Sequence, residues 1–385
     1  MNFFKNGEHN RRCWLGYFLL MGCLVGPSWV WGDSLPTTAP SSHASHGFHY
    51  DFPRDHGTHD QFRIEWWYFT GHVFSQDEKR FGYELTFFRR GMEEFLNQRN
   101  ESQWTIHHLY FAHFAISDEE TKQLHMAEKL SRAGLGKAGA DHAGLHVWID
   151  DWRAKADTPE HQGFQLQAET EHMKLDLHLS PLKNPVIHGE DGISRKGVMP
   201  TQTSHYYSLT RLHTQGTVRL GQKSYEVEGV SWMDHEFGFG ELGQDQVGWD
   251  WFSLQLHSNV EIMIYQLRRA DGSPDPASSG TVVFPNGQTR HLSLDDIQLS
   301  VLDTWESSNS QARYPSQWRL AVPSLDLEVN IIPVFPNQEL VTKKSTRVTY
   351  WEGAVDVEGM FEGKPTQGVG YVELTGYAEP LTKAY

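Results

Sequence analysis

Residues 64–89 read IEWWYFTGHVFSQDEKRFGYELTFFR, and this stretch decides the fold class. Two runs rich in β-branched and aromatic residues, 64–74 and 82–89, flank the charged turn Gln76-Asp77-Glu78-Lys79-Arg80. That is a hairpin pattern. Further strands fit residues 105–117, 144–149, 163–171, 174–179, 205–212, 216–220 and 224–233. Helical periodicity is scarce, and 123–130 and 294–299 are expected at most as short helices. Many short strands separated by turn signals predict an all-β barrel or sandwich. A barrel removes sheet edges, and one of about eight strands can hold a small ligand.

The opening pattern returns later in the chain. Trp66-Trp67-Tyr68-Phe69, a turn and 84–89 are echoed by Trp249-Asp250-Trp251-Phe252, a turn and Tyr265-Gln266-Leu267-Arg268. Residues 225–232 and 350–359 are a second loose match, each containing Tyr, Trp and Glu-Gly. A period of about 180 residues implies duplicated domains, not a short solenoid repeat. The expected organisation is therefore two domains, 61–240 and 241–385, with the boundary near 240–248.

The N-terminus reads differently. Lys5, Arg11 and Arg12 precede the apolar run CWLGYFLLMGCLVGPSWVW at 13–31, and Val30 and Gly32 stand at −3 and −1 before Asp33. This is signal-peptide grammar for residues 1–32, predicting a periplasmic or secreted protein. Leu20-Met21-Gly22-Cys23 also resembles a lipobox, so a lipoprotein anchored through Cys23 is the alternative. Cys13 and Cys23 are the two cysteines, which leaves the mature chain without a disulfide or a Cys-based metal site. Residues 33–60 are rich in Ser, Thr, Pro and His and read as a linker, with His43, His46, His49, His56 and His59 as a solvated tail.

The formal charge is −16, and residues 1–32 carry Lys5, Arg11 and Arg12 against Glu8, a net +2, so the remainder stands near −18. Such a surface disfavours nucleic acid and anionic headgroups as main partners. Aromatic residues make up 13% of the chain, with 14 Trp. They suit either an aromatic core or an aromatic cavity for a hydrophobic small molecule or lipid.

The most chemically suggestive segment is Trp232-Met233-Asp234-His235-Glu236-Phe237. In extended geometry Trp232 and Asp234 share one face. An aspartate ending an apolar aromatic face has reason for a raised pKa and for proton transfer, with His235 and Glu236 assisting or capping a turn; the alternative is a structural aspartate that hydrogen-bonds the loop backbone. Glu65, beside Trp66-Trp67-Tyr68, needs hydrogen-bond donors or a cation. Trp249 and Trp251 point to one side and suit a ligand wall or a packed core. His107 and His113 are too far apart to act as adjacent ligands on one strand, and no metal or other cofactor is expected. The loop 189–197, GEDGISRKG, lacks the phosphate-loop ending, and neither a Gly-x-Ser-x-Gly elbow nor a His-Glu-x-x-His motif is present.

These pieces together resemble the AttH-like family, which is related to carotenoid 1,2-hydratases. The resemblance rests on Pro53-Arg54-Asp55-His56-Gly57-Thr58-His59, Glu65-Trp66-Trp67-Tyr68, Ser204-His205-Tyr206-Tyr207-Ser208, Trp232-Met233-Asp234-His235-Glu236, Gly248-Trp249-Asp250-Trp251-Phe252 and Gly370-Tyr371-Val372-Glu373-Leu374. It runs in order over residues 50–377. The resemblance implies two tandem lipocalin-like β-barrel domains. It implies hydratase relatives, in which an aspartate protonates an alkene, and for some members an ABC-type permease as partner. By motif position the acid is Asp234 with Trp232 steadying the cation. Where the family often has Asp-Arg-Glu-Trp, this chain has Asp234-His235-Glu236-Phe237.

Two functions follow. One is an exported carrier of an apolar, lipid- or isoprenoid-like ligand, with Glu65, Trp67, Tyr206, Trp249 and Trp251 as ligand-binding residues. The other is a hydratase or isomerase using Asp234 as general acid, with Trp232, His235 and Glu236 beside it.

Overall fold

The computed structural model describes residues 44, 47–92, 106–158, 161–240 and 242–381. The expected signal segment 1–32, with Cys23, lies outside the described residues. The first sheet is built from β1 (Ile64–Ser75), β2 (Arg80–Gly91), β3 (His108–Asp118), β4 (Gln123–Arg132), β5 (Ala138–Ala140), β6 (His146–Ile149), β7 (Trp152–Thr158), β8 (His161–Glu169), β9 (Met173–Pro181), β10 (Val186–Ile187), β11 (Ser194–Arg195), β12 (Thr203–Leu220) and β13 (Lys223–Gly238). The second is built from β14 (Gln246–Leu256), β15 (Glu261–Arg269), β16 (Ser279–Val283), β17 (Thr289–Ser293), β18 (Gln298–Glu306), β19 (Arg313–Val322), β20 (Leu327–Pro333), β21 (Glu339–Val341), β22 (Thr349–Phe361) and β23 (Lys364–Leu374).

The expected hairpin is β1–β2, paired from Ile64↔Arg90 to Phe74↔Arg80. Sheet order is β4-β3-β2-β1-β13-β12-β9-β8-β7-β6-β5 in the first and β17-β16-β15-β14-β23-β22-β20-β19-β18 in the second. In both, the first strand pairs with the last, antiparallel, which curls each sheet into a barrel-like shape. The sequence repeat is thus a repeat of topology. One of its two matches joins unlike strands: 225–232 lies in β13, whose positional counterpart is β23, whereas 350–359 lies in β22. Both segments are strand-forming and glycine-containing, and composition alone does not encode strand order.

Two expected short helices are corrected. Residues 123–130 belong to β4, paired with β3 from Leu109↔Arg132 to Asp118↔Gln123. A long partner strand stabilises this polar edge segment despite its helix-forming Ala, Glu and Lys. Leu294–Asp296 is a single 3-10 turn with a Ser293–Asp296 capping box, after which β18 begins.

The linker reading of 33–60 also fails over its described C-terminal half. Phe48, Tyr50 and Phe52 pack their rings around His205 and Tyr207. A 3-10 turn at Arg54–His56 then leads to buried His56 and His59. The Trp67 indole N–H fixes the turn by donating to the His56 carbonyl at 3.0 Å. The polar composition that suggested a solvated tail instead supplies hydrogen bonds inside the first barrel.

Strand parity sorts the side chains. On β1 and β13 the odd positions Glu65, Trp67, Phe69, Met233, His235 and Phe237 turn into the first barrel, where Trp67, Phe69 and Met233 join a large apolar cluster. The second barrel is likewise filled, around Phe252, Trp318 and Trp351. The even positions face the other sheet, and Tyr68, Tyr206 and Trp232 pack with Trp251, Tyr265 and Tyr371. Residues 231–238 of β13 are accordingly buried on both faces. Gly82 marks the close approach of the sheets: a Cβ there would stand 2.7 Å from the Ala354 Cβ.

Candidate active site between the barrels

Because side chains fill the barrel interiors, the ligand-sized space lies between the sheets. It is a cavity of about 280 Å³ walled by both sheets, including Trp66, Tyr68, Phe88, Trp249, Trp251 and Tyr350. That volume is near the lower end of the roughly 300–1,000 Å³ range of small-molecule sites. A wider concavity, about 1,040 Å³, lies around Asp157, Asp176, His178 and Glu228 on the first sheet, but it is open to solvent and lined by polar and apolar groups in similar measure.

Asp234 sits on the cavity wall with its side chain buried. Its Oδ2 accepts the Tyr206 hydroxyl at 2.6 Å, and its Oδ1 accepts the Trp232 indole N–H at 2.6 Å and the Ser208 hydroxyl. All three donors are neutral side chains. Burial pushes the carboxyl up, the three hydrogen bonds pull against it, and the nearby Glu236 carboxylate adds to the rise, leaving it at about 7. His188 backs this arrangement: Nε2 lies 2.6 Å from Ser208 Oγ and Nδ1 2.9 Å from Thr281 Oγ1. Burial keeps that imidazole neutral, with a pKa of about 3.

The repeat places a second carboxyl in the cavity. Tyr68 stands opposite Asp234 across β1–β13, and Trp251, its counterpart in the repeat, stands opposite Glu373 across β14–β23. Glu373 Oε2 accepts the Trp249 indole N–H at 2.8 Å. Burial, then the Asp234 and Glu236 charges, bring Glu373 to about 7 against that hydrogen bond. Glu84 also lines the cavity and is raised to about 8, chiefly by burial. Glu352 accepts the Tyr68 hydroxyl at 2.6 Å and is held well above the carboxylate range by burial and by Glu84 and Glu373. Lys196, from the loop 189–197, supplies a half-buried cation. Its Nζ lies 3.1 Å from Glu236 and 4.0 Å from the Tyr265 ring centroid.

Of the residues singled out in the sequence, Asp234, Glu236, Tyr206, Trp249 and Trp251 come together on the cavity wall. Trp232 lies behind Asp234 as its donor. Glu65, Trp67 and His235 do not line the cavity, because their strand parity turns them into the first barrel. There Glu65 accepts from Thr58 Oγ1 at 2.8 Å, Arg89 Nε at 2.9 Å and the His59 backbone N–H at 3.0 Å, with His235 Nε2 and His59 Nδ1 each 2.9 Å from Oε1. Burial raises the Glu65 pKa, but the Arg89 charge and the His235 and His59 hydrogen bonds overcome it and hold the group well below its usual range. His59, Glu65 and His235 lie close enough to hold a metal ion. Arg89 already neutralises Glu65, however, and hydrogen bonds engage the ligand atoms.

Trp66, Tyr68, Glu84, Lys196, Tyr350 and Glu373 are cavity residues that the sequence reading did not select. Parity offered the signal for the first two: with Asp234 taken as the reacting face of β13, its antiparallel partner on β1 is Tyr68, so Trp66 and Tyr68 share that face and Glu65 and Trp67 do not.

Comparison with known proteins agrees with this architecture. An AttH-like family model matches residues 43–377. An AttH-type crystal structure from Nitrosomonas europaea superposes with a TM-score of 0.78 at 33% identity, covering 87% of this chain and 99% of that one. The crystal structure of kievitone hydratase from Nectria haematococca superposes with a TM-score of 0.65 at 16% identity, covering 82% and 89% of the two chains, a likeness of fold. By sequence, the dehydratase AsqC of Emericella nidulans is 22% identical over 54% of this chain, and the match spans 60% of that enzyme. Kievitone hydratase of Fusarium solani subsp. phaseoli is 22% identical over 62% of this chain and 68% of its own length. The fold is two lipocalin-like barrels, and the chain belongs to the AttH-like family.

Proposed function

We propose that this protein adds water to, or removes it from, a carbon–carbon double bond of an apolar substrate held between the barrels. The observation that carries the reading is Asp234: a buried carboxyl on an aromatic wall, bonded only by neutral donors, with a pKa of about 7. Such a group is a general acid able to give its proton near neutral pH. In the hydration direction, the Asp234 proton adds to one alkene carbon. Positive charge develops on the other, facing the rings of Trp66, Tyr68 and Trp251. Water then bonds to that carbon, and its surplus proton returns to the Asp234 carboxylate. Dehydration is the reverse. The hydratase and dehydratase relatives support this chemistry ahead of the carrier role first drawn from composition. Export through residues 1–32, a periplasmic or Cys23-anchored location and a permease partner belong to the same proposal and rest on the N-terminal sequence and the family resemblance.

The test is to incubate purified protein with acyclic isoprenoid alkenes and prenylated phenols in oxygen-18 water and follow products by mass spectrometry. A product heavier by one labelled water, absent with Asp234→Asn, is the expected result. Tight binding with every substrate returned unchanged would replace the enzyme with a carrier.

A further inference from the structure

Beyond Asp234, Glu236 and Glu373, a fourth carboxyl of the cavity is linked toward the outside of the protein. Glu84 lines the cavity with its side chain buried, and its Oε2 has no hydrogen-bond partner within the described structure. Its Oε1 accepts the Thr86 hydroxyl at 2.9 Å and lies 3.3 Å from the Tyr350 hydroxyl. From Tyr350 a continuous series runs outward. Tyr350 Oη is 2.7 Å from His113 Nδ1, and His113 Nε2 is 2.9 Å from Ser345 Oγ. The Ser345 hydroxyl donates to Glu128 Oε2 at 2.6 Å. Glu128 is partly exposed and also accepts the backbone N–H groups of Lys344 and Ser345 at 3.0 and 2.8 Å.

The donors in this series can be ordered. Glu128 is held below its usual range: burial opposes this, but the Ser345 and Lys344 hydrogen bonds prevail, so it accepts as a carboxylate. Ser345 spends its hydroxyl hydrogen on Glu128 and therefore accepts from His113 Nε2–H. Burial keeps His113 neutral, with a pKa of about 4, so Nδ1 is a bare acceptor for the Tyr350 hydroxyl. With Glu84 ionised the Tyr350 hydroxyl donates to its Oε1; with Glu84 protonated, Tyr350 turns its one hydrogen to His113 and its oxygen accepts from Glu84. Every link then points outward. Glu373 and Glu352, the other carboxyls acting on Glu84 and Tyr350, are themselves raised and favour the protonated form.

We propose that Glu84 is a further proton-exchanging carboxyl of the cavity and that Tyr350, His113 and Ser345 carry its proton to and from solvent at Glu128. One transfer takes the Glu84 proton to Tyr350, the Tyr350 proton to His113 Nδ1, the His113 Nε2 proton to Ser345 and the Ser345 proton to Glu128. One proton moves outward, Glu84 becomes a carboxylate, and His113 changes tautomer. The reversed chain returns a proton inward. In turnover this path, which there rests on the hydratase reading, lets the cavity exchange protons with bulk water while substrate fills it. Glu84 would touch substrate, whereas Tyr350, His113 and Ser345 act through it.

Infrared spectroscopy of the full chain tests the path without any substrate. A protonated-carboxyl band near neutral pH that disappears in Glu84→Gln identifies the group. On transfer to D2O the band shifts rapidly in the unsubstituted protein. Tyr350→Phe and Ser345→Ala each slow that shift by about tenfold or more, toward the rate of local opening. Ser345→Ala removes only a hydroxyl and keeps the backbone donors to Glu128, so it decides the matter even if Tyr350→Phe disturbs packing. Equal exchange rates in folded Ser345→Ala, or no Glu84 band near neutral pH, would overturn the proposal. Intact relay exchange in a protein that hydrates nothing would instead retire the hydratase reading alone.

Discussion

Buried carboxyls inside the first barrel and buried carboxyls between the two sheets are solvated in opposite ways. Inside the first barrel Glu65 meets Arg89, His59 and His235, and its pKa is driven down. Between the sheets Asp234, Glu373, Glu84 and Glu352 meet hydroxyls, indoles and one another, and their pKa values are driven up. Both sets are buried, so burial is not what distinguishes them. Direct pairing with a cation is: Glu65 has Arg89, whereas the cavity's Lys196 pairs with Glu236. A carboxylate with a fixed guanidinium partner is an anchor, whereas a carboxyl with neutral donors keeps its proton available for chemistry.

The largest effect that would break this comparison is on turnover. Asp234→Asn keeps the shape and one acceptor oxygen for Trp232 and Ser208, with its NH2 turned to the Tyr206 oxygen, but has no acidic proton, so the hydration rate should fall about 100- to 10,000-fold while the protein still folds and binds ligand. Equal loss of folded protein, with full turnover in the remainder, would place Asp234 with Glu65 as a structural group. Next comes the anchor. Arg89→Met leaves a buried carboxylate uncompensated and should cost about 3–5 kcal/mol of stability in a denaturant titration, with turnover per folded molecule unchanged.

The pH dependence should separate the two sets. A carboxyl raised on folding holds its proton more tightly in the folded state, so its contribution to stability falls as pH rises from about 4 through its folded pKa. For Asp234, Glu373 and Glu84 those folded values are about 7, 7 and 8. A lowered carboxyl such as Glu65 contributes stability above its ordinary pKa of about 4 and loses it as pH falls through the lower folded value. Melting temperature should therefore be highest in mildly acid buffer and decline toward pH 8. The smallest expected effect sharpens the same point: Glu352→Gln removes one member of the raised cluster and should add about 1 kcal/mol at pH 8 and less at pH 5. A melting temperature that climbs steadily to pH 8 would contradict the raised pKa values.

Much of this architecture was legible from residues 64–89 and their echo at 249–268. The β1–β2 hairpin and its repeat in β14–β15 emerged as expected, and Asp234, Glu236, Tyr206, Trp249 and Trp251 proved to share one cavity. What the sequence hid was register. A residue's face follows from period-two alternation, but which face meets the other sheet depends on long-range pairing, such as Tyr68↔Asp234. Without it, Glu65 and Trp67 looked like cavity residues in place of Trp66 and Tyr68. His59 looked like part of a tail because its partners Asp55 and Glu65 are local but its burial under Phe237 is not. Glu84 and Glu373 gave no local signal, since each is one acid in an ordinary alternating strand until the sheets meet. The His113 relay was invisible for the same reason: Tyr350 and Ser345 lie more than two hundred residues away.

The central claim is that Asp234 holds an available proton at neutral pH. It is tested most directly by carbon-13 NMR of protein labelled at the aspartate carboxyls, with the Asp234 resonance assigned by its loss in Asp234→Asn. This account predicts a titration midpoint near 7, with the hydration rate falling as pH rises through the same midpoint. A midpoint at or below the ordinary aspartate value of about 4 would mean that Asp234 is a carboxylate throughout and does not act as the acid.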